Sequence, residues 1–216
     1  TTRLSPQQFF SLIANARRLL DADDSSFLLG QRLLPGHYGP ASHALQQAPN
    51  LQHALQTVIH HRALLSPLLT PRLLLDEKYA YVYWLDSSGA QEQLRFVLEA
   101  SMTALLAMSQ WLSGERLPWE CHFSHAEPRY VEQYWVHLGE NSQFGCQLDL
   151  MRIPREYLTR PWPNASAIAR QVSLQQARNE LNALGFSARL IDRLYVYLRN
   201  HAQHAPSLEL TAQTFG

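Results

Sequence analysis

The chain has 216 residues, 46% of them hydrophobic and 17% charged, a balance that excludes a disordered segment, a collagen-like repeat and a disulfide-held miniprotein. Eighteen basic residues match eighteen acidic ones, so no overall field draws nucleic acid or anionic lipid. No apolar run approaches the ~20 residues that cross a bilayer, residues 1–6 lack a secretory pattern, and Cys121 and Cys146 read as two free thiols in a reducing cytoplasm.

The neutrality conceals an asymmetry. Residues 1–151 carry 10 basic and 14 acidic side chains, whereas residues 152–216 carry 8 arginines against 4 acidic residues, net charges of −4 and +4. The break falls near Pro161-Trp162-Pro163-Asn164 and suggests a body followed by a basic helical piece.

In chain order, Ser5, Pro6 and Gln8 predict a capped helix to about residue 20, with Phe9, Phe10, Ile13, Ala16 and Leu20 on its buried face. Residues 26–33 (SFLLGQRL) read as a short strand, and residues 35–40 as a tight loop of prolines and glycines. Asn50 caps a second helix whose stripe is Leu51, Ala54, Leu55, Val58 and Ile59. Leu73, Leu75 and the aromatic run 79–85 (YAYVYWL) predict a hairpin with one strand buried on nearly both faces. Residues 91–112 form a long helix with Gly114 as its stop. Trp119, Cys121 and Phe123 alternate as a strand. Pro128 opens a helix with Val131, Tyr134, Trp135 and Leu138 inside, and residues 143–152 form a further strand. Beyond Asn164 only helices follow: 165–184, with Ile168, Val172, Leu181 and Leu184 as a thin stripe; 190–198, capped by Ser187; and 208–215. The fold class is α+β, a mostly antiparallel sheet backed by helices and followed by an all-helical C-terminal segment.

Several constellations point to chemistry and lead nowhere. Cys121 and His122 project to opposite sides of a strand, so with His125 they cannot share a metal. His60 and His61 diverge by about 100° on a helix. No nucleophile elbow, P-loop, dinucleotide fingerprint or zinc-protease motif is present, and Asp76-Glu77 sits in a turn. No metal or cofactor is expected. What stands out is the aromatic load, with Tyr79, Tyr81, Tyr83, Trp84, Trp119, Tyr134 and Trp135 on elements that share one sheet. Rings with polar tips suit a small-molecule pocket, although an aromatic-rich core reads the same way.

Residues 206–216 (PSLELTAQTFG) follow a helix and a polar turn. Ser207 caps, Leu208 and Ala212 face inward, and Gly216 permits a sharp turn. This resembles the start of the DNA-binding domain of AraC/XylS-type transcription regulators, where a Pro-Ser-Leu-Glu helix with an inner alanine and a turn glycine precedes the recognition helix. Residues 33–41 (LLPGHYGPA), the helix from Leu51 to Leu65, and the stretch from Phe144 to Leu158 ending in Pro161 are similar to the subgroup with a so-called arabinose-binding N-terminal domain. The family's namesake has a sugar-binding jelly roll of strands, whereas residues 1–163 are rich in helix, so arabinose is not carried over.

The resemblance implies a regulatory fragment that ends inside the first helix-turn-helix. Residues 1–163 are expected to bind an effector, 164–185 to link or dimerise, and 186–216 to begin the DNA-binding domain. Expected partners are an unidentified small-molecule effector, DNA through the missing C-terminal part, and a second copy in a homodimer, with no membrane. Tyr38, Tyr83, Trp84, Arg95, Trp119 and Trp135 are the candidate ligand-binding residues, with Arg95 set to pair a carboxylate if the effector is acidic. DNA-contacting residues are not assigned because the recognition helix lies beyond the sequence. Two rival readings are a small enzyme using the aromatic pocket with His122 or His137 as base, and a pure oligomerisation module.

Overall fold

A computed structural model describes residues 4–37, 39–185, 194, 197–198, 201 and 206–215. The chain divides into two compact units, Thr1–Ala177 and Arg178–Gly216.

The first unit opens with α1 (Pro6–Leu20). The Ser5 hydroxyl accepts the Gln8 amide, and the Gln8 side chain returns to the Ser5 amide, the reciprocal box read from the sequence. Next comes α2 (Ser25–Leu33). This overturns the expected strand at residues 26–33. Ser26, Phe27 and Gly30 are buried, a helical spacing, and Gly30 is the point of closest approach to the long helix rather than a break. Two short helices flank the well-capped one: α3 (Pro40–Gln46), α4 (Leu51–His60) and α5 (Arg62–Leu65). Asn50 Oδ1 accepts the His53 amide at the start of α4, as its sequence predicts.

The hairpin follows as β1 (Thr70–Leu75) and β2 (Tyr79–Leu85). Strand β2 is not buried on both faces. Ala80 and Val82 are buried whereas Tyr79, Tyr81 and Tyr83 are only partly so, because successive side chains leave opposite sides of the sheet. A 3₁₀ turn at Gln91–Gln93 leads into α6 (Leu94–Ser113), with Gly114 in the left-handed conformation (φ 79°) donating to the Gln110 carbonyl. Then come β3 (Glu120–His122), α7 (Val131–His137), β4 (Ser142–Gln143) and β5 (Leu150–Pro154). The single strand expected at 143–152 is thus two short ones. Gly145 at φ 69° breaks it, and Asp149 turns back to accept the amide and hydroxyl of Ser124.

The sheet order is β1-β2-β5-β3-β4. Every pairing is antiparallel except β3 with β4. Its inner face packs Ala80, Val82, Met151, Ile153 and Cys121 into the main core with α4 and α6. A smaller apolar cluster joins Phe10 and Ile13 of α1 to Leu69, Phe96 and Val97.

Helix α7 buries Tyr134 and not Trp135, which is 48% exposed. Seven residues make two turns, and only the line through Tyr134 and Leu138 meets the core. Helix α8 (Ala167–Ala183) buries Ser173 and Ala177; of the expected inner stripe, Ile168 and Val172 are exposed and Leu181 and Leu184 half-buried.

In the second unit, α9 (Leu208–Phe215) starts where Ser207 accepts the Leu210 amide. Leu208 is 86% exposed and Ala212 is also exposed, so neither faces inward. The helix packs instead through Thr211 and Phe215, the latter edge-on to Tyr197. Ser187, Leu190, Ile191 and Gly216 lie outside the described residues.

Candidate functional site

The fold holds a partly open cavity of about 300 Å³. Helix α1 roofs it with Phe9 and Ile13; α2 contributes Leu29 and Leu33 and α4 Leu55 and Val58; the 64–69 segment closes one side; Val82 and Trp84 of β2 and the Val97-Ala100-Ser101-Ala104 face of α6 complete it. These elements converge for a local reason. Phe9 and Ile13 lie one turn apart on α1, and Val97, Ala100, Ser101 and Ala104 form one stripe of α6 whose small side chains leave the space open. Among the described residues no charged side chain lines the cavity, and the polar ones are Ser5, Ser66, Ser101 and Trp84. The serines are engaged locally: Ser5 in the α1 cap, Ser66 donating to the Leu69 carbonyl at 2.9 Å and Ser101 to the Val97 carbonyl at 2.7 Å. The volume is at the small end of known ligand pockets.

Polar contacts hold the roof. Arg17 donates to Gln93 Oε1 at 2.9 Å and lies over the Phe96 ring, and Gln7 donates to the Ser88 carbonyl.

Elsewhere on α6, Glu99 is the hub of a buried polar cluster. Only 3% exposed, it accepts from Ser26 of α2 at 2.6 Å, from Arg95 at 3.0 Å, and from Tyr134 and Tyr130. Tyr134, wholly buried, also faces His125 Nε2 at 3.3 Å and meets Phe27, Phe123 and Phe144 edge-on. Burial first, and then the Glu99 carboxylate, push its phenol far above the ordinary value. The Glu99 carboxylate has protein partners on both oxygens, which makes this cluster a structural tie between α2, α6 and α7.

The sequence-named residues separate accordingly. Trp84 lines the cavity. Tyr83, its neighbour on β2, lies on the other face of the sheet, opposite Arg72 and Leu150. Arg95 is spent on Glu99 and Tyr134 and does not line the cavity. Trp119 is in the main core, its indole N–H donating to Ser109 Oγ at 3.0 Å. Trp135 is on the surface. Tyr38 lies outside the described residues. Sequence reasoning placed Val97 and Ser101 on the inner face of α6 and missed Ala100, Ala104 and Glu99. The signal for Glu99 was a lone carboxylate in a helix otherwise apolar on several sides.

Among the described residues no three His, Cys, Asp or Glu converge on a metal-sized space. Cys146 Sγ lies 3.7 Å from His122 Nδ1, while among the described residues His122 Nε2 is buried without a hydrogen-bond partner. His137 stacks on Phe27, with Nδ1 facing Gln31. Burial raises the Cys121 thiol to about 12, so it carries almost no thiolate near neutrality. A thiol titration of the native protein with a disulfide reagent is therefore expected to count the half-buried Cys146 quickly and Cys121 only on unfolding. Two rapid equivalents would contradict the packing of β3.

Burial holds His53, His122 and His137 below the ordinary imidazole value, with Arg170 and Arg152 adding to it at the first two. The folded protein then prefers them neutral, while the unfolded chain takes up protons as pH falls through about 6.5. Urea midpoints are expected to be flat between about pH 7 and 8 and to drop between about pH 6.5 and 5.

Residues 1–162 match the family described as the arabinose-binding domain of AraC transcription regulators, N-terminal. The chain belongs to this family of AraC-type regulator domains. It is 26% identical over 212 residues to an ornithine utilization regulator of Pseudomonas aeruginosa, an alignment covering 98% of this chain and 62% of the relative; the chain thus spans less than two thirds of that protein's length. The crystal structure of the transcriptional regulator CdpR from Pseudomonas aeruginosa has a similar fold, with a TM-score of 0.56 at 18% identity over 100% of this chain and 76% of that one. Among the described residues no helix is long and apolar enough to cross a membrane.

Proposed function

We propose that this chain is the effector-sensing region of a cytoplasmic AraC-type transcription regulator, and that it is not an enzyme. The observation that carries the reading is the cavity beneath α1, which lies inside the family-matched segment and whose described lining is apolar apart from three serines and Trp84. Effector binding there favours one docking of α1 and so biases the equilibrium between states of the regulator that differ in DNA binding. DNA is contacted by a helix-turn-helix domain that begins around residue 186. Dimerisation through α8 is supported by the exposed Ile168 and Val172, one turn apart.

The test is a promoter reporter driven by the intact regulator. Ala104→Leu, which fills the cavity from α6, is expected to fix the reporter in one state whatever the growth medium, with normal protein levels. A variant that responds to the same media as the parent would rule the sensing role out.

A further inference from the structure

The cavity lies between two separate apolar clusters. On one side are Leu55, Val58, Val82 and Leu105 of the main core; on the other are Ile13, Leu69, Phe96 and Val97 of the α1 cluster. Trp84 packs against both. A molecule in this space touches both clusters at once and joins α1 to the sheet and to α6.

The lining also restricts what that molecule can be. Among the described residues no charged side chain lines the wall, and the Ser66 and Ser101 hydroxyls already donate to backbone carbonyls, so an ionised group buried there would lose its hydration with little to replace it. Among the described lining residues, Trp84 carries the one side-chain N–H, and Ser5, whose oxygen accepts from Gln8, keeps its own hydroxyl proton, enough for one or two oxygen acceptors. As for size, an apolar cavity of about 150 Å³ accepts benzene. About 300 Å³ therefore takes roughly twice that, on the order of twelve carbon-sized atoms.

Resting on the sensing role proposed above, we infer that the effector is an uncharged, hydrocarbon-rich small molecule with at most one or two oxygen atoms, and that it acts by bridging the two clusters under α1. Amino acids and sugars, which bring charges or many hydroxyls, do not fit this wall. Opening is by movement of α1, whose polar attachments run through Arg17–Gln93 and Gln7–Ser88.

The experiment compares two probes on the purified chain: 1-decanol, of the inferred class, and ornithine, a charged amino acid. Thermal midpoint and tryptophan emission are read for each. Decanol is expected to raise the midpoint and to shift an emission component that disappears in Trp84→Phe, while ornithine at the same concentration does neither. Ala104→Leu is expected to weaken decanol binding by about tenfold or more, since it adds carbon atoms where the ligand packs. Ala107→Leu, one turn along α6 and lining a separate open groove instead of the cavity, should leave it unchanged, and Ser101→Leu gives a second way to fill the cavity should Ala104→Leu fold poorly. Protection by ornithine but not decanol would overturn the ligand class and leave the sensing role standing. Absence of binding by both probes, or decanol binding untouched by Ala104→Leu and Ser101→Leu, would overturn occupation of this cavity. Failure of the sensing role is read separately, by the reporter.

Discussion

Glu99→Ala is expected to destabilise the first unit by about 4 kcal/mol, read as a lower urea midpoint at unchanged slope. Removing the carboxylate leaves the Arg95 guanidinium without its anion and strips the acceptor from Ser26 and from Tyr134, which are 2% and 0% exposed. Breaking one side of a buried ion pair costs about 3–5 kcal/mol. Arg95, whose side chain is 38% exposed, recovers part of this by turning to water. Each stranded buried hydroxyl adds about 1–3 kcal/mol. Glu99→Gln keeps one carbonyl acceptor, and the Ser26 hydroxyl can rotate to accept from the new amide, so about half the loss is expected. A loss below about 1 kcal/mol for the alanine variant would mean that α2, α6 and α7 hold together without this tie.

The second large effect is at Gly30. A methyl group added there would come within 2.5 Å of the Ala100 carbonyl oxygen and 2.7 Å of Thr103 Cβ. Both obstacles belong to the middle of α6, and the nearer one is backbone, so neither can swing away. Alanine ordinarily strengthens a helix by about 0.5–1 kcal/mol over glycine. Here Gly30→Ala must separate α2 from α6, and a net loss of about 3 kcal/mol is expected, at the upper end of core overpacking. Because α6 also forms a wall of the cavity, the same substitution should weaken decanol binding although residue 30 does not line it. Hydrogen exchange along α2 and α6, faster in the variant at both helices, would locate the damage.

These two residues also mark what could be read from the sequence and what could not. Caps and stops were legible because they are decided within three or four residues: Ser5 with Gln8, Asn50 with His53, and Gly114 behind α6. The hairpin and the mixed helix-and-sheet plan followed from periodicity, and the family from diffuse patterning together with residues 206–216. At residues 26–33, a glycine among large apolar residues looks the same in a strand as in a helix pressed against a neighbour. Only the partner helix, some seventy positions away, distinguishes them. Glu99 was passed over because its acceptor role depends on Ser26, Tyr130 and Tyr134, which approach only in the folded state. The aromatic group was scattered for a simpler reason. Tyr83 and Trp84 are adjacent in β2 and therefore on opposite faces. Trp84 lines a cavity whose other walls come from five separate stretches of chain, a juxtaposition no local pattern encodes.

The strand order has a consequence for how the molecule is made. Strand β5, the last of the five in the chain, lies between β2 and β3, and Val82 waits for Met151 as its partner. While the polypeptide emerges from the ribosome, the β1–β2 hairpin can form early, but its inner edge keeps unpaired amides and carbonyls until residue 154 is out. Such an edge invites pairing with a neighbouring nascent chain, and closure across so long a separation is slow. Expression lengths that stop short of β5 should therefore collect as insoluble aggregate, and those reaching just past Pro154 should mark the onset of soluble product.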